Sequence, residues 1–283
     1  MKRTMTKKIF NVMNAALVAC AMTLTTCVEF NDNPVNPDDN GKRFVLTEIT
    51  WSYSDGAFKQ YFYSYDEEGR LTQERMIQEF TDGQQSSDDT TIYSYEDGLI
   101  TEQRVGEEYP HMLHLNADGL LIDYEYYNYP ASQYLHTTYE YDDARHLTTI
   151  HNGETSMMTL TWEGDDIVAI TAYNDGQVTS TVDVEPSEVT TSGFYQFMRM
   201  GSIQQLYFMM GLFGSMPKHM PATIIQTAES VYGSMLTKES YSYTVADGLL
   251  TEFTCVTESD IKMGPISQKK TFSVTNELIW KEL

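Results

Sequence analysis

The chain has 283 residues, with 41 Asp and Glu against 18 Lys and Arg, a formal net charge of −23 at pH 7. So one-sided a charge excludes nucleic acid and anionic lipid headgroups as partners, because like charges repel where encounter begins. The cysteines number three, two of them near the start, which is too few for a disulfide framework.

In chain order, Lys2, Arg3, Lys7 and Lys8 precede an apolar stretch from Ile9 that ends at a cysteine. This is the pattern of a secretory signal, too short and too interrupted by Asn to be a membrane span. Leu24-Thr25-Thr26-Cys27 reads as the lipidation site, because Val28 to Pro34 is polar and acidic, as a tether needs. Leu17-Val18-Ala19-Cys20 is the alternative, with Cys20 as the lipidated residue, but it would leave an apolar mature start. Residues 1–26 are therefore expected to be a lipoprotein signal peptide and 27–42 an acidic tether, with the membrane reached through the N-terminal lipid. Cleavage removes those four cations and no acid, so the mature chain is more acidic still. The remaining thiol, Cys255, is expected as a small buried hydrophobe on a strand face shared with Leu249, Thr251 and Phe253.

A single β domain is expected over 43–283. Val45, Thr47, Ile49, Trp51 and Tyr53 alternate as a first strand, and the same period of two recurs near 57–65, 70–80, 90–95, 98–104, 111–115, 119–127, 135–141, 145–151, 157–163, 166–173 and 177–184. Six hairpins share one plan: an aromatic strand end, an acidic turn, and an apolar restart. They are Tyr63-Ser64-Tyr65 before Asp66 to Gly69, Tyr93-Ser94-Tyr95 before Asp97-Gly98, Leu113-His114-Leu115 before Asn116 to Gly119, Tyr139-Glu140-Tyr141 before Asp142-Asp143-Ala144, Leu160-Thr161-Trp162 before Gly164-Asp165, and Tyr241-Ser242-Tyr243 before Asp247-Gly248. Asp, Asn and Gly tolerate the positive φ of tight turns, and aromatic flanks suit a pleated strand. Along one strand Leu120, Ile122, Tyr124 and Tyr126 should share a face, with Leu121, Asp123, Glu125 and Tyr127 on the other.

From 193 to 217 the pattern changes. Phe194, Phe197 and Met198, then Ile203, Leu206, Tyr207 and Met210, recur at helical spacing. Thr191 or Ser192 could cap the start, and Gly214 and Pro217 could end it, so one or two helices are expected. Strands resume near 223–229, 237–245, 248–258, 268–275 and 277–281. About 16 strands exceed what a flat twisted sheet holds. The fold class is therefore mainly β, an antiparallel meander forming a strongly curled sheet or a closed barrel. Side chains alone cannot fill a barrel of that size, so the insert is expected to plug or cap it.

These hairpins, Tyr63 to Leu71 above all, resemble the YD repeats of Rhs-type proteins. The lipobox, the Asp/Asn/Pro tether, the meander and the late Met-rich insert ending in Met216-Pro217-Lys218-His219-Met220-Pro221 together resemble a Bacteroidetes lipoprotein family of unknown function with a porin-like fold. The resemblance implies a lipid-anchored outer-membrane protein, on the periplasmic or the surface-exposed side, built as a many-stranded β wrap. It brings no catalytic residues. The fourth copy departs from the pattern, with Ala144 where Gly is expected.

No recognisable chemistry stands out in the chain. Nucleophile elbows, phosphate-binding loops and dinucleotide fingerprints do not occur, so no catalytic residue and no cofactor is assigned. His111 and His114 are three apart on a strand and face opposite sides; His136 and His151 are expected on opposite faces of one hairpin; no metal is assigned. Asp88-Asp89, Glu96-Asp97, Asp142-Asp143 and Asp165-Asp166 are expected at solvated turns. Tyr126, Tyr127 and Tyr129, beside a Pro130 loop, are the candidate ligand-binding residues, since tyrosine platforms near carboxylates hold sugars by stacking and hydroxyl hydrogen bonds. The expected function is a non-enzymatic extracellular binding module for a glycan or surface polymer. The alternative is a structural or interaction subunit that docks to another outer-membrane protein.

Overall fold

A computed structural model describes residues 36–37, 43–81, 86–191, 193–195, 205–230, 233–264 and 266–283. The signal region, Cys20, Cys27 and most of the tether lie outside the described residues. A two-residue strand, β1 (Asn36–Pro37), pairs with the start of β2 (Arg43–Tyr53). Then follow β3 (Phe58–Tyr65), β4 (Leu71–Glu79), β5 (Ser87–Glu96), β6 (Leu99–Arg104), β7 (His111–Leu115), β8 (Leu121–Asn128), β9 (Gln133–Tyr141), β10 (Leu147–Asn152), β11 (Ser156–Glu163), β12 (Asp166–Asn174) and β13 (Gln177–Thr190). A short helix, α1 (Gln205–Met209), precedes β14 (His219–Ser230), β15 (Gly233–Ala246), β16 (Leu249–Met263) and β17 (Ile266–Glu282).

Each strand from β2 onward pairs antiparallel with the next, and β17 returns to β2 from Val274 opposite Tyr53 to Glu282 opposite Phe44. The meander therefore closes as a barrel of sixteen strands. The two strands expected near 268–275 and 277–281 are one, β17, because Asn276 continues the ladder between Phe253 and Trp51 instead of turning.

The repeat has a physical device at its centre. Just after five of the six repeat turns, and early in β2, one extra residue sits in the strand: Thr72, Ile122, Thr148, Val168 and Thr251, with Thr47 in β2, each have no partner opposite. Such a bulge twists the strand and reverses the alternation beyond it. The aromatic residue ending a following strand then donates to the carbonyl beside the bulge. Tyr65 bonds Leu46 O at 2.7 Å, Tyr95 bonds Leu71 O at 2.7 Å and Tyr141 bonds Leu121 O at 2.7 Å. Trp162 Nε1 reaches Leu147 O at 2.9 Å and Trp280 Nε1 reaches Leu250 O at 2.7 Å. Four bulge threonines turn their hydroxyls onto the carbonyl of the partner strand, Thr47 to Ile279 and Thr72 to Ser64 at 3.1 Å among them.

The bulges correct three expectations of which residues share a face. On β8, Leu121 is 0% exposed and Ile122 is 40% exposed, so Leu121 rather than Ile122 joins Tyr124 and Tyr126 inside. On β16 the inward set is Leu250, Phe253 and Cys255, all buried, with Leu249 and Thr251 out of it. The bulge at Thr148 likewise puts His151 opposite Thr138, so His136 and His151 share the outer face. They bond Asp123 and Glu140 respectively.

Three turns use one capping geometry. Asp66, Asn116 and Asp142 each accept two backbone N–H groups, two and four residues on, through Oδ1. The positive-φ position is Gly69 in the first turn and Gly119 in the second; in the third it is Arg145, at φ 65. The departure from glycine in the fourth copy is thus at Arg145 rather than at Ala144. Asp88-Asp89 is not a turn pair at all. Both lie inside β5, Asp88 bonded to Arg75 outside and Asp89 to Arg104 inside.

The insert between β13 and β14 folds into the barrel at the end carrying these turns. Its neck is closed by Thr191, whose N–H donates to Lys218 O and whose hydroxyl donates to Pro217 O; Thr191 caps no helix. Only α1 is helical among its described residues, and 196–204 lie outside them. Phe194, Tyr195, Tyr207, Phe208, Leu212 and Phe213 are at most 1% exposed. Phe213 packs on Tyr139 and Phe208, and Phe194 on Phe253. Leu212 O takes hydrogen bonds from Leu121 N and the Tyr141 hydroxyl, and Gly214 bridges His146. The described part of the apolar segment therefore forms the expected plug, held by packed irregular chain and the short α1.

Outward positions carry Arg75, Asp88, Asp123, Glu125, His136, Glu140, Asp183, Lys238 and Glu258, interspersed with exposed Ile92, Ile122, Leu236, Val256 and Ile279. Charges at that density do not match an uninterrupted hydrocarbon band.

Tyr141→Phe should cost about 2 kcal/mol and Tyr65→Phe about 1 kcal/mol, because Tyr141 holds both a bulge and the plug; urea melts with an unchanged slope would check this. Gly214 has φ +73, and an added Cβ would lie 2.1 Å from Arg145 O. Gly214→Ala should lift the plug from the rim, cost at least about 2 kcal/mol, and raise binding of a hydrophobic dye in the native baseline.

Candidate functional site

The plug closes one end of the lumen, and exposure rises toward the other. Down the inner face of β16, Phe253, Cys255 and Thr257 are 0% exposed, Ser259 and Ile261 are half-buried, and Met263 is 53% exposed. Among the described residues the lumen is thus a cup, floored by the plug and open at the loop end.

One arc of its wall carries the polar chemistry. Period-two alternation turns Lys59, Tyr61 and Tyr63 of β3, Glu74 of β4, Tyr93 of β5, Glu102 and Arg104 of β6, His111 of β7, and Tyr124 and Tyr126 of β8 inward. The Glu102 side chain is 14% exposed. One of its oxygens accepts the hydroxyl of Tyr207 from the plug at 2.8 Å, and the other lies 3.4 Å from His111 Nδ1. That same nitrogen meets the Tyr124 hydroxyl at 2.8 Å. Tyr124 and Tyr126 stack at 5.6 Å, and His111 stands edge-on to both. Nearer the opening Arg104 pairs with Asp89 at 2.7 Å and with Glu107 at 3.5 Å.

Burial and the Glu102 charge push the Glu74 carboxyl up to about 7, with Lys59 acting weakly the other way. Burial lowers the Lys59 ammonium, partly offset by Glu74. Burial, with Glu74 and Glu102 beside them, holds Tyr63, Tyr93 and Tyr207 well above the ordinary phenol range, so all three remain donors at neutral pH.

The three sequence-predicted tyrosines divide. Tyr126 faces the cup. Tyr127 and Tyr129 belong to a separate cluster outside the rim, where Tyr109 stacks on Tyr127 at 3.8 Å. Tyr129 stands edge-on to Tyr127 at 5.2 Å, as does Tyr134. Tyr129 is 51% exposed. Sequence reasoning passed over Tyr109, Tyr134, Glu74 and Glu102. The signal for Glu102 was present: Ile100, Glu102 and Arg104 alternate on one face, which puts two charges on an inward parity. The bulge at Thr72 hid the same signal for Glu74. Cys255 is buried beside Thr257, 3.7 Å from its hydroxyl.

Fold and cup together define a plugged, water-facing β-barrel of the porin-like kind. The chain belongs to the family described as a domain of unknown function (DUF4595) with porin-like fold, whose model matches residues 63–248. Among solved structures it is similar to a porin-like protein from Bacteroides uniformis ATCC 8492, with a TM-score of 0.64 and 16% identity over 83% of this chain and 98% of that one. A porin-like protein from Bacteroides vulgatus ATCC 8482 is similar at a TM-score of 0.50 and 9% identity, over 84% and 99%. At these identities the likeness shows the fold alone. No curated protein matches the chain.

Glu74 gives a pH prediction. Between its ordinary value of 4.5 and about 7, the native state holds a proton that the unfolded chain has released, so stability falls as pH rises through that window. Glu74→Gln removes this loss. Discounted for the water that reaches the side chain, the variant should match the parent at pH 4.5 and exceed it by about 1–2 kcal/mol at pH 8. Denaturant melts at the two pH values would check it; a constant difference would refute the linkage.

Proposed function

We propose that this chain is a cell-envelope lipoprotein, anchored in the outer membrane through lipid on Cys27, whose barrel is a non-enzymatic binding module for an extracellular glycan or surface polymer. The observation that carries the reading is the tyrosine cluster at the open end, with Tyr109, Tyr127 and Tyr134 supporting an exposed Tyr129. Neighbouring rings hold each other rigid, so a sugar face meets an ordered aromatic platform with little entropy left to lose. Loops carry it on a rigid scaffold, where binding residues concentrate. The barrel closes on itself and has no open sheet edge for a protein partner to extend. The described apolar residues of the insert, which could have docked a partner, are buried in the core instead.

One observation favours a second reading, hydrolysis. Glu74 and Glu102 face the same cup, and a carboxyl raised to about 7 beside a second carboxyl is the pairing that glycoside hydrolysis uses. A reducing-end assay on every glycan that binds separates the two: release of new ends would replace the binding reading.

A thermal-shift screen of residues 42–283 against polysaccharides is the direct test. A ligand at 100 times its dissociation constant stabilises the folded state by about 2.7 kcal/mol. One glycan class should raise the melting temperature dose-dependently, and Tyr129→Ala should cut the affinity about tenfold, a stacking loss of roughly 1.4 kcal/mol. Absence of any shift in a protein that melts cooperatively would refute the reading.

A further inference from the structure

The cup has a chemistry distinct from the rim. Its floor is closed, so whatever enters from the open end stops there, which suits the end of a chain rather than its middle. Its wall holds Glu74 and Glu102; Lys59 bears on Glu74, and Arg104 is taken up by Asp89 and Glu107. Glu102 is met by the Tyr207 hydroxyl, a neutral donor. His111 Nδ1 sits 2.8 Å from the Tyr124 hydroxyl and 3.4 Å from the second Glu102 oxygen. Lys59 lies over the ring of Tyr61 at 5.8 Å.

The same arc continues to two unsatisfied groups. Asn276 is 0% exposed and its Oδ1 has no hydrogen-bond partner; Trp51, directly opposite it across β17 and β2, has its Nε1 buried and unpartnered. Trp51 in turn packs on Tyr61 at 6.4 Å. A buried donor and a buried acceptor left unmade side by side need an explanation, and a ligand bearing hydroxyls supplies both partners. Tyrosine faces beside carboxylates attract organic cations, through the ring quadrupole and through charge.

We propose that the cup takes the amine-bearing end of an oligosaccharide, with its ammonium group held by Glu102 and Glu74, its ring faces against Tyr61, Tyr124 and Tyr126, and its hydroxyls toward Trp51 and Asn276. This rests on the glycan-binding reading and names the sugar class for the cup.

Titration calorimetry at pH 6.5 compares a tetramer of glucosamine with the same tetramer N-acetylated. The free-amine tetramer should bind at least ten times more tightly than the acetylated one, and Glu102→Gln should lose at least tenfold of that affinity in a variant whose melt remains cooperative. The comparison of the two tetramers on the native chain needs no variant, so it stands even if Glu102→Gln fails to fold. Equal affinity for both tetramers overturns the amine site and leaves the glycan reading intact. Binding of neither, alongside a positive polysaccharide shift that depends on Tyr129, overturns the cup alone. Binding of neither, with no polysaccharide shift, overturns both.

Discussion

The barrel depends on one repeated interaction, the hydrogen bond from a strand-ending aromatic to the carbonyl beside a bulge. A bulge leaves its flanking backbone groups without ladder partners, and buried carbonyls left unmade are costly. Tyr65, Tyr95, Tyr141, Trp162 and Trp280 supply those partners from the adjacent strand while burying their rings. Each bond fixes where the bulge sits, and so which parity of the strand faces inward. Without it, a one-residue slip would exchange the core face for the solvent face. The added twist at every second turn also curls the meander enough for β17 to find β2.

Closure at sixteen strands creates a second requirement. A lumen of that width cannot be filled by wall side chains, and an empty apolar interior would forfeit contact on every side. The 191–218 insert meets this at one end only. Its placement is tied to the repeat, since Leu212 O is held by Tyr141 and Leu121, and Gly214 fits against Arg145 only for want of a Cβ. The other end is left open, and the acids of the wall there keep partial contact with water. The family name describes the strand architecture; the polar exterior and the filled interior reverse the distribution of a membrane-spanning channel.

The chain is strongly acidic, yet its acids play unequal parts. Those at turns, such as Asp66 and Asp142, accept backbone N–H groups and hold the turn. Glu74 and Glu102, on inward parity in two hairpins, are brought together by the curvature of the wall, and burial with the Glu102 charge raises the Glu74 carboxyl. Composition made every carboxylate look alike; the wall's shape singles these two out.

Much of the fold was legible in the chain itself. Aromatic alternation, Asp/Asn/Gly turns and consecutive short connections dictate an antiparallel meander, because period and turn chemistry are local properties. The strand count demanded curvature, and the apolar 193–217 segment demanded burial. The site was legible only in part. Tyr127 and Tyr129 lie in the rim cluster, but Tyr126 points into the cup, and Tyr109 and Tyr134 come from a loop and a strand that no spacing rule connects. The bulges account for most of what was missed: one extra residue at Thr72, Ile122, Thr148 or Thr251 leaves no mark in a hydrophobic pattern yet inverts every face beyond it. Local chemistry therefore determined the hairpins and their turns. Closure, the seating of the plug, and the meeting of Glu74, Glu102 and Tyr207 across distant strands were decided only by the tertiary structure, because register and curvature are properties of paired strands and not of any one of them.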